Sequence, residues 1–288
     1  MSVTKAPLKV LVLGSNGQVG QAMQEMSRNG AFPLCEFIWW TRKDLDLSAP
    51  NRKIWVALNE TQDFDILLNL AAYTDVESAE ESSLNEAINY LGVSSLSDWC
   101  STHEKKLIHI STDYVFDGSE GVKTILSPCS PLNAYGREKR AGECHLQMHS
   151  QNYCIIRTSS VYSEYGKNFA TTMFDRFSKE LETNVVDSQL MCPTYAGNLC
   201  LAIYKVVIED IKGVQHYNDG EYMSWWDFSK KIAKRFDSYT LNKVASFPSK
   251  AERPTHSHLI VEKCLSDVKQ HPQYLTMNQA LSKIEENK

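Results

Sequence analysis

Residues 14–20 read Gly-Ser-Asn-Gly-Gln-Val-Gly, a G-x-x-G-x-x-G run set between a strand pattern, Leu8–Leu13 (LKVLVL), and a helical pattern, Gln18–Met26. Few other local patterns restrict a fold so tightly. Glycines let the backbone turn sharply and let its N–H groups approach a pyrophosphate, and the following helix adds its partial positive end. A glycine-rich turn alone is a weak signal; a strand before it and a helix after it make it a dinucleotide cradle. Gly14, Asn16, Gly17, Gln18, Val19 and Gly20 are therefore expected to face a dinucleotide.

The rest of the first half repeats the rhythm. Phe37–Trp40, Ile66–Leu70, Leu107–Ser111 and Tyr153–Arg157 are short apolar runs, with helical patterns at Leu84–Cys100 and Ala134–Met148. Near-continuous apolar strands alternating with helices predict a parallel sheet covered on both faces. After about Ser159 the pattern changes to helical stretches at Asn168–Glu182, Gly197–Glu209, Ser224–Phe236 and Thr276–Glu286, with a strand-like return at Gly213–Tyr217. The expected architecture is α/β: a Rossmann-like doubly wound parallel sheet with a smaller C-terminal substrate-binding domain. Residues 1–160, with a return segment at about 187–212, are expected to form the dinucleotide-binding unit, and about 161–186 and 213–288 the second.

Charge and cysteine usage narrow the class further. Thirty Lys and Arg against 35 Asp and Glu leave a net charge of −5, which gives no footprint for nucleic acid or an anionic membrane. No apolar run approaches the ~20 residues of a membrane helix. Met1–Lys9 reads as a polar stretch leading into a strand, not a signal peptide. Eight cysteines without a C-x-x-C pair read as reduced thiols of a cytoplasmic protein.

The end of the second strand selects the cofactor. An acidic residue there would bond the ribose 2′-hydroxyl of NAD, whereas this chain has Thr41-Arg42-Lys43. A hydroxyl and two cations suit a 2′-phosphate, so the reading is NADPH; Asp44 and Asp46 leave NADH open as well. Tyr135 and Lys139 form Y-x-x-x-K, which shares one helix face. A cation there is expected to lower the phenol's pKa and make Tyr135 a proton donor to a carbonyl under reduction. Thr112, at the end of the fourth strand, is placed to hold the substrate oxygen.

These pieces, with NLAAYTDVESAE (69–80), ISTDYVFDG (110–118), PLNAYGREKRAGE (131–143), RTSSVY (157–162), Pro193-Thr194, SWWDF (224–228) and RPTHSHL (253–259), resemble the dTDP-4-dehydrorhamnose reductase family of extended short-chain dehydrogenase/reductases over nearly the whole chain. The resemblance implies NADPH-dependent reduction of the C4 ketone of a nucleotide-linked 4-keto-6-deoxyhexose, most specifically dTDP-4-dehydro-L-rhamnose. It makes Tyr135 the proton donor, Lys139 a ribose ligand that tunes Tyr135, and Thr112 the carbonyl ligand. Asp113 would hold the sugar. Ala71, Ala72 and Thr74 would lie along the cofactor, Asp46 and Leu47 near the adenine, and Arg253 at the substrate nucleotide. The chain departs from the family at Ser160, where an aromatic usually borders the sugar pocket. It departs again at Ala22, where the family places an early glutamate of a magnesium site; no metal site is carried over, and monomer and homodimer both stay open. Two other readings remain: a reductase or epimerase of another nucleotide sugar, and a non-catalytic NADP-binding subunit resembling the regulatory subunit of methionine adenosyltransferase.

Overall fold

The structure is a computed structural model that describes residues 6–61 and 63–288; residues 1–5, part of the stretch read as leaderless, and Gln62 lie outside the described residues. Its main body is a six-stranded parallel sheet. The strands are β1 (Leu8–Leu13), β2 (Cys35–Trp40), β3 (Ile66–Asn69), β4 (Lys106–Thr112), β5 (Tyr153–Thr158) and β6 (Gly213–His216), ordered β6-β5-β4-β3-β1-β2. The chain starts mid-sheet and winds both ways, so the order reverses between β1 and β3. Gly213–His216, which the sequence reading assigned to the smaller unit, pairs with Cys154–Arg157 as the sixth strand.

Strand periodicity sorts the apolar residues onto two faces. Val10, Val12, Ile66, Leu68, Ile108 and Ile156 pack with α1 (Gln18–Arg28) and the later helix Ala196–Ile208. Leu11, Leu13, Leu67, Leu107 and Ile155 pack on the other side with Ile54, Leu58, Leu96, Trp99 and Leu146. Ile54 and Leu58 belong to α2 (Asn51–Glu60), a helix the sequence reading passed over.

The expected helix over 84–100 is instead three joined pieces: α3 (Ser83–Glu86), a π-helical stretch (Ala87–Gly92) and α4 (Val93–Thr102). A Cβ on Gly92 would stand 2.7 Å from the Leu47 carbonyl, and the Asn89 amide bonds both backbone groups of Tyr73. The widened turn thus seats two loops at the sheet edge, consistent with the frequent use of π-bulges at functional sites. Helix α5 (Ala134–His149) starts on Asn133, whose side chain accepts from the Gly136 N–H. α6 (Phe169–Ser178) ends four residues earlier than expected. Glu180 takes a left-handed φ of 50°, and Leu181 N–H returns to the Arg176 carbonyl; this Schellman-type stop does without glycine.

The smaller unit joins α6, α8 (Trp225–Ala233) and α9 (Met277–Glu286) around Phe174, Phe177, Phe228, Ile232, Leu281 and Ile284. α7 (Ala196–Ile208) belongs to the sheet's core, covering β1 and β3. Ser224 and Thr276 cap α8 and α9 as their spacing predicts. All eight cysteines are free thiols. Among the described residues, no helix is long and apolar enough to cross a membrane.

One buried ion pair docks α5 on the sheet. Arg157 of β5 donates from Nε and Nη2 to the two oxygens of Glu143, at 2.9 and 2.7 Å, and both side chains are almost fully buried. Arg140 adds a third bond. Burial pushes Glu143 up, but these cations win and hold it below its ordinary value. Removing one member of such a pair strands the other in a dry interior. Glu143→Ala is expected to destabilise the fold by about 3–5 kcal/mol, read as a lowered urea midpoint.

Candidate active site

A parallel sheet delivers every strand's carboxyl end to one edge, and ligands of doubly wound sheets bind there. The residues singled out in the sequence collect at that edge: Gly14–Gly20 after β1, Thr41–Asp46 after β2, Asn69–Thr74 after β3, Thr112 and Asp113 at β4, and Thr158–Ser160 at β5.

Two glycines of the loop after β1 stand where there is no room for a side chain. A Cβ on Gly14, whose φ is 78°, would lie 2.7 Å from the Ala71 nitrogen, and one on Gly20 would lie 2.6 Å from the Ser15 Cα. No side chain caps α1, and no acidic residue occupies its first turn. Asn16 and Gly17 are exposed at its tip. Uncapped N–H groups at a helix N-terminus suit an anion, and these fit a dinucleotide pyrophosphate. Gln18 turns elsewhere: its amide bonds the Val161 carbonyl and the Ser163 hydroxyl, tying the loop to the smaller unit. Val19 packs on the core.

Beyond β2, Asp44 accepts from the Thr41 N–H and hydroxyl, both at 2.8 Å. Asp46 accepts from Ser48 and from Arg42 Nε, and the Arg42 side chain is 66% exposed. The Leu47 side chain is buried in the core under β1, so only its backbone faces the edge. Ala71 and Ala72 are half-buried and Thr74 is exposed.

Tyr135 and Lys139 stand on the first turns of α5. Gly136 lets the helix press against β4's end, since a Cβ there would meet the Tyr114 carbonyl at 2.2 Å. Tyr135 sits edge-on to Tyr114. Its phenol is pushed up by burial, while the Thr112 hydroxyl acts in the opposite direction. Lys139 is not among the groups that move it, which corrects the expected lowering. The Lys139 Nζ is held by the Ile110 carbonyl at 2.8 Å and lies 3.1 Å from His109 Nε2. Burial pulls that amine down to about 8. A phenol that keeps its proton is the form a reduction needs from its acid.

Asp113 also differs from expectation. It is buried, its oxygens accept from Thr112 at 3.0 Å and Ser159 at 2.7 Å, and Ser257 adds a third bond. Burial raises its pKa. These bonds turn the carboxylate to the Thr112, Ser159 and Ser257 hydroxyls. Ser160 sits beside it with a left-handed φ of 46°. Arg253 bonds Glu77 at 2.7 Å and Ser249 at 2.9 Å. Hydrogen bonds from Ser249 and Lys250, with Arg253, hold Glu77 down at about 2. Arg253 therefore clasps the loop after β3 to the segment 249–253.

His109, Asn69, Ser159 and Ser257 were not singled out from sequence. The signal for His109 was present: an imidazole in the centre of an apolar strand. Trp39 and Trp40 pack against the two sheet faces. Trp225 and Trp226 pack against the smaller core, Cys192 is buried, and His256 bonds the Tyr222 hydroxyl while His258 stacks on its ring. One group among the described residues has metal-ligand spacing, Asp98 with His145 and His149 on α4 and α5. There His145 is hydrogen-bonded to Asp98 at 2.7 Å.

A family model described as "RmlD substrate binding domain" matches residues 8–284. The dTDP-4-dehydrorhamnose reductase of Sinorhizobium fredii is 32% identical over 272 residues, 89% of this chain and 90% of that protein. The dTDP-4-keto-6-deoxy-D-glucose reductase of Streptomyces niveus is 32% identical over 226 residues, 76% of each chain. The crystal structure of dTDP-4-dehydrorhamnose reductase from Bacillus anthracis in complex with NADP superposes with a TM-score of 0.84 at 29% identity, covering 97% of this chain and 98% of that one.

The left-handed backbone of Ser160 gives a direct check on the pocket wall. A β-branched residue is poorly tolerated there and glycine well. Ser160→Val is expected to cost about 1–2 kcal/mol, and Ser160→Gly to stay within roughly 0.5 kcal/mol of the parent, both by urea titration.

Proposed function

This chain belongs to the dTDP-4-dehydrorhamnose reductase family, and on that footing we propose that it uses NADPH to reduce the C4 ketone of a nucleotide-linked 4-keto-6-deoxyhexose, converting dTDP-4-dehydro-L-rhamnose to dTDP-L-rhamnose. The observation that carries the reading is the convergence of Thr112, Tyr135 and Lys139 at the sheet edge, with the single strand β3 between them and an uncapped glycine loop.

NADPH would be held by the α1 N-terminus at its pyrophosphate, by Ala71 and Ala72 along its length, and by Arg42 at its 2′-phosphate; when bound it supplies the hydride. The chain's own residues manage the oxygen. Thr112, whose hydroxyl hydrogen rests on Asp113, would turn that hydrogen to the C4 carbonyl oxygen. Tyr135 gives that oxygen its proton as charge develops on it, and burial keeps the proton in place until then. Lys139 donates to the nicotinamide ribose from its seat on Ile110. Arg253, once released from Glu77, offers a planar fork to the substrate diphosphate.

A second reading changes the sugar and keeps the chemistry. Ser160 replaces a bulky pocket wall, and the Streptomyces niveus relative is named for a 4-keto-6-deoxy-D-glucose substrate. Side-by-side turnover of the two dTDP-keto sugars decides between them.

Mixing the purified chain with NADPH and dTDP-4-dehydro-L-rhamnose is expected to oxidise the cofactor and yield dTDP-L-rhamnose. NADPH binding without reduction of any keto sugar overturns the proposal. Tyr135→Phe is expected to lower kcat by about 10²–10⁴-fold with NADPH affinity within a few fold of the parent, measured by fluorescence titration. Arg42→Ala removes a charged hydrogen bond worth about 1.5–3 kcal/mol, so NADPH should bind roughly 10–100-fold more weakly while NADH is little changed.

A further inference from the structure

We propose that Asp98, His145 and His149 form a binding site for one divalent transition-metal ion of the zinc class, tying the C-terminal ends of α4 and α5 together. The site lies away from the cleft and does not depend on the reductase reading.

The topology brings these residues to one place. α4 ends at Thr102 and β4 begins at Lys106; α5 ends at His149 and β5 begins at Tyr153. β4 and β5 are paired neighbours in the parallel sheet. The two helices therefore end side by side at the sheet's amino edge, opposite the edge that gathers Thr112 and Tyr135. A helix C-terminus carries partial negative charge and leaves carbonyls without intrahelical partners. Two such ends together favour a cation.

The side chains supply the ligands. His145 and His149 stand one turn apart on α5, a spacing that puts both rings on one face. Asp98 meets them from α4, with its Oδ1 2.7 Å from His145 Nε2. The two imidazole rings lie 4.2 Å apart. One ligand atom from each residue lies within 4.8 Å of the other two. Four-coordinate zinc holds such atoms at about 2.0–2.2 Å, hence roughly 3.4 Å from one another, so side-chain rotation of about an ångström closes the set. His149 is free to make that rotation. It is exposed, and no hydrogen bond among the described residues engages its ring. A metal lies in the plane of each imidazole, so binding turns the His149 ring out of its stack.

The donor set selects the metal. Two imidazoles and one carboxylate suit zinc, cobalt or nickel, whereas magnesium wants an octahedron of oxygens. Residues 93–102 and 141–152 contain no Lys or Arg, so neither segment offers a cation to compete for Asp98. The Asp98–His145 hydrogen bond accounts for two of the three residues. It leaves unexplained a second imidazole, one turn on and facing the same carboxylate.

The whole 288-residue chain, freed of metal and without cofactor or sugar, is titrated with Zn²⁺ by calorimetry beside His149→Ala and Asp98→Asn. The expected result is uptake of one ion by the parent, weakened by more than about tenfold in each variant, because even contacts one shell beyond the ligands are worth about 10–100-fold in metal affinity. His149 is exposed, so its truncation leaves the fold intact. Co²⁺ then identifies the donors. All eight cysteines are free, and Cys144 adjoins His145, so thiolate binding must be told apart from the proposed site. Nitrogen and oxygen ligation gives visible bands without thiolate-to-cobalt charge transfer in the near ultraviolet. No Zn²⁺ uptake by the parent, undiminished uptake by His149→Ala, or a thiolate band with the first equivalent of Co²⁺ each overturns the proposal.

Discussion

The Glu143–Arg157 pair is the contact on which the site's geometry depends. A helix lying across a parallel sheet can slide, because apolar packing is non-directional. A bidentate guanidinium–carboxylate bond cannot slide, since both oxygens are spoken for. Glu143 lies one turn beyond Lys139, and Lys139 one turn beyond Tyr135, so fixing the carboxylate to β5 fixes the height of both functional groups above β4. Gly136 then sets how closely α5 approaches, through its contact with the Tyr114 carbonyl. Charge supplies register here, and the absence of a side chain supplies distance.

A second set of buried polar groups turns position into chemistry. Thr112, Asp113, Ser159 and Ser257 form one cluster, and Ala71, Asn69, His109 and Lys139 form another. Each buried donor in them has a partner, as a low-dielectric interior demands. Asp113 is occupied by the Thr112 and Ser159 hydroxyls, and His109 bridges Asn69 and Lys139. Both side chains are buried behind the groups at the sheet edge.

Much of this was legible in the sequence. The glycine loop, five of the six strands and the Y-x-x-x-K pair stand out because each is local: a period-two or apolar run, a turn, an i,i+4 spacing. What escaped is what depends on partners distant in the chain. The sixth strand was expected as a return segment but given to the wrong unit, because four residues, Gly213–His216, carry no mark of the strand they pair with. The π-helical stretch depends on Leu47 and Tyr73, some 16 to 45 residues earlier. Tyr135's raised pKa was misjudged for the same reason. Spacing puts Lys139 on its face, but the direction the ammonium takes is decided by Ile110 and His109 on another strand.

The division of labour across the sheet edge explains how one scaffold can hold its chemistry fixed while its substrate varies. The half proposed to handle the hydride, from Gly14 to Lys139, is built on strand ends and a helix anchored by buried bonds, where a small displacement is costly. The half proposed to face the sugar is assembled from loops: Ser160 in a strained backbone, and the 249–253 segment clasped to Glu77 and Glu81 by exposed ion pairs. Exposed pairs of that kind contribute little stability, so the clasp can open without disturbing the fold. On the proposed reading, Ser160 in place of a bulky aromatic alters the shape of the sugar pocket while Thr112, Tyr135 and Lys139 keep their places. Identity of reaction and identity of substrate would then be written in different parts of this chain, with the first held by its core.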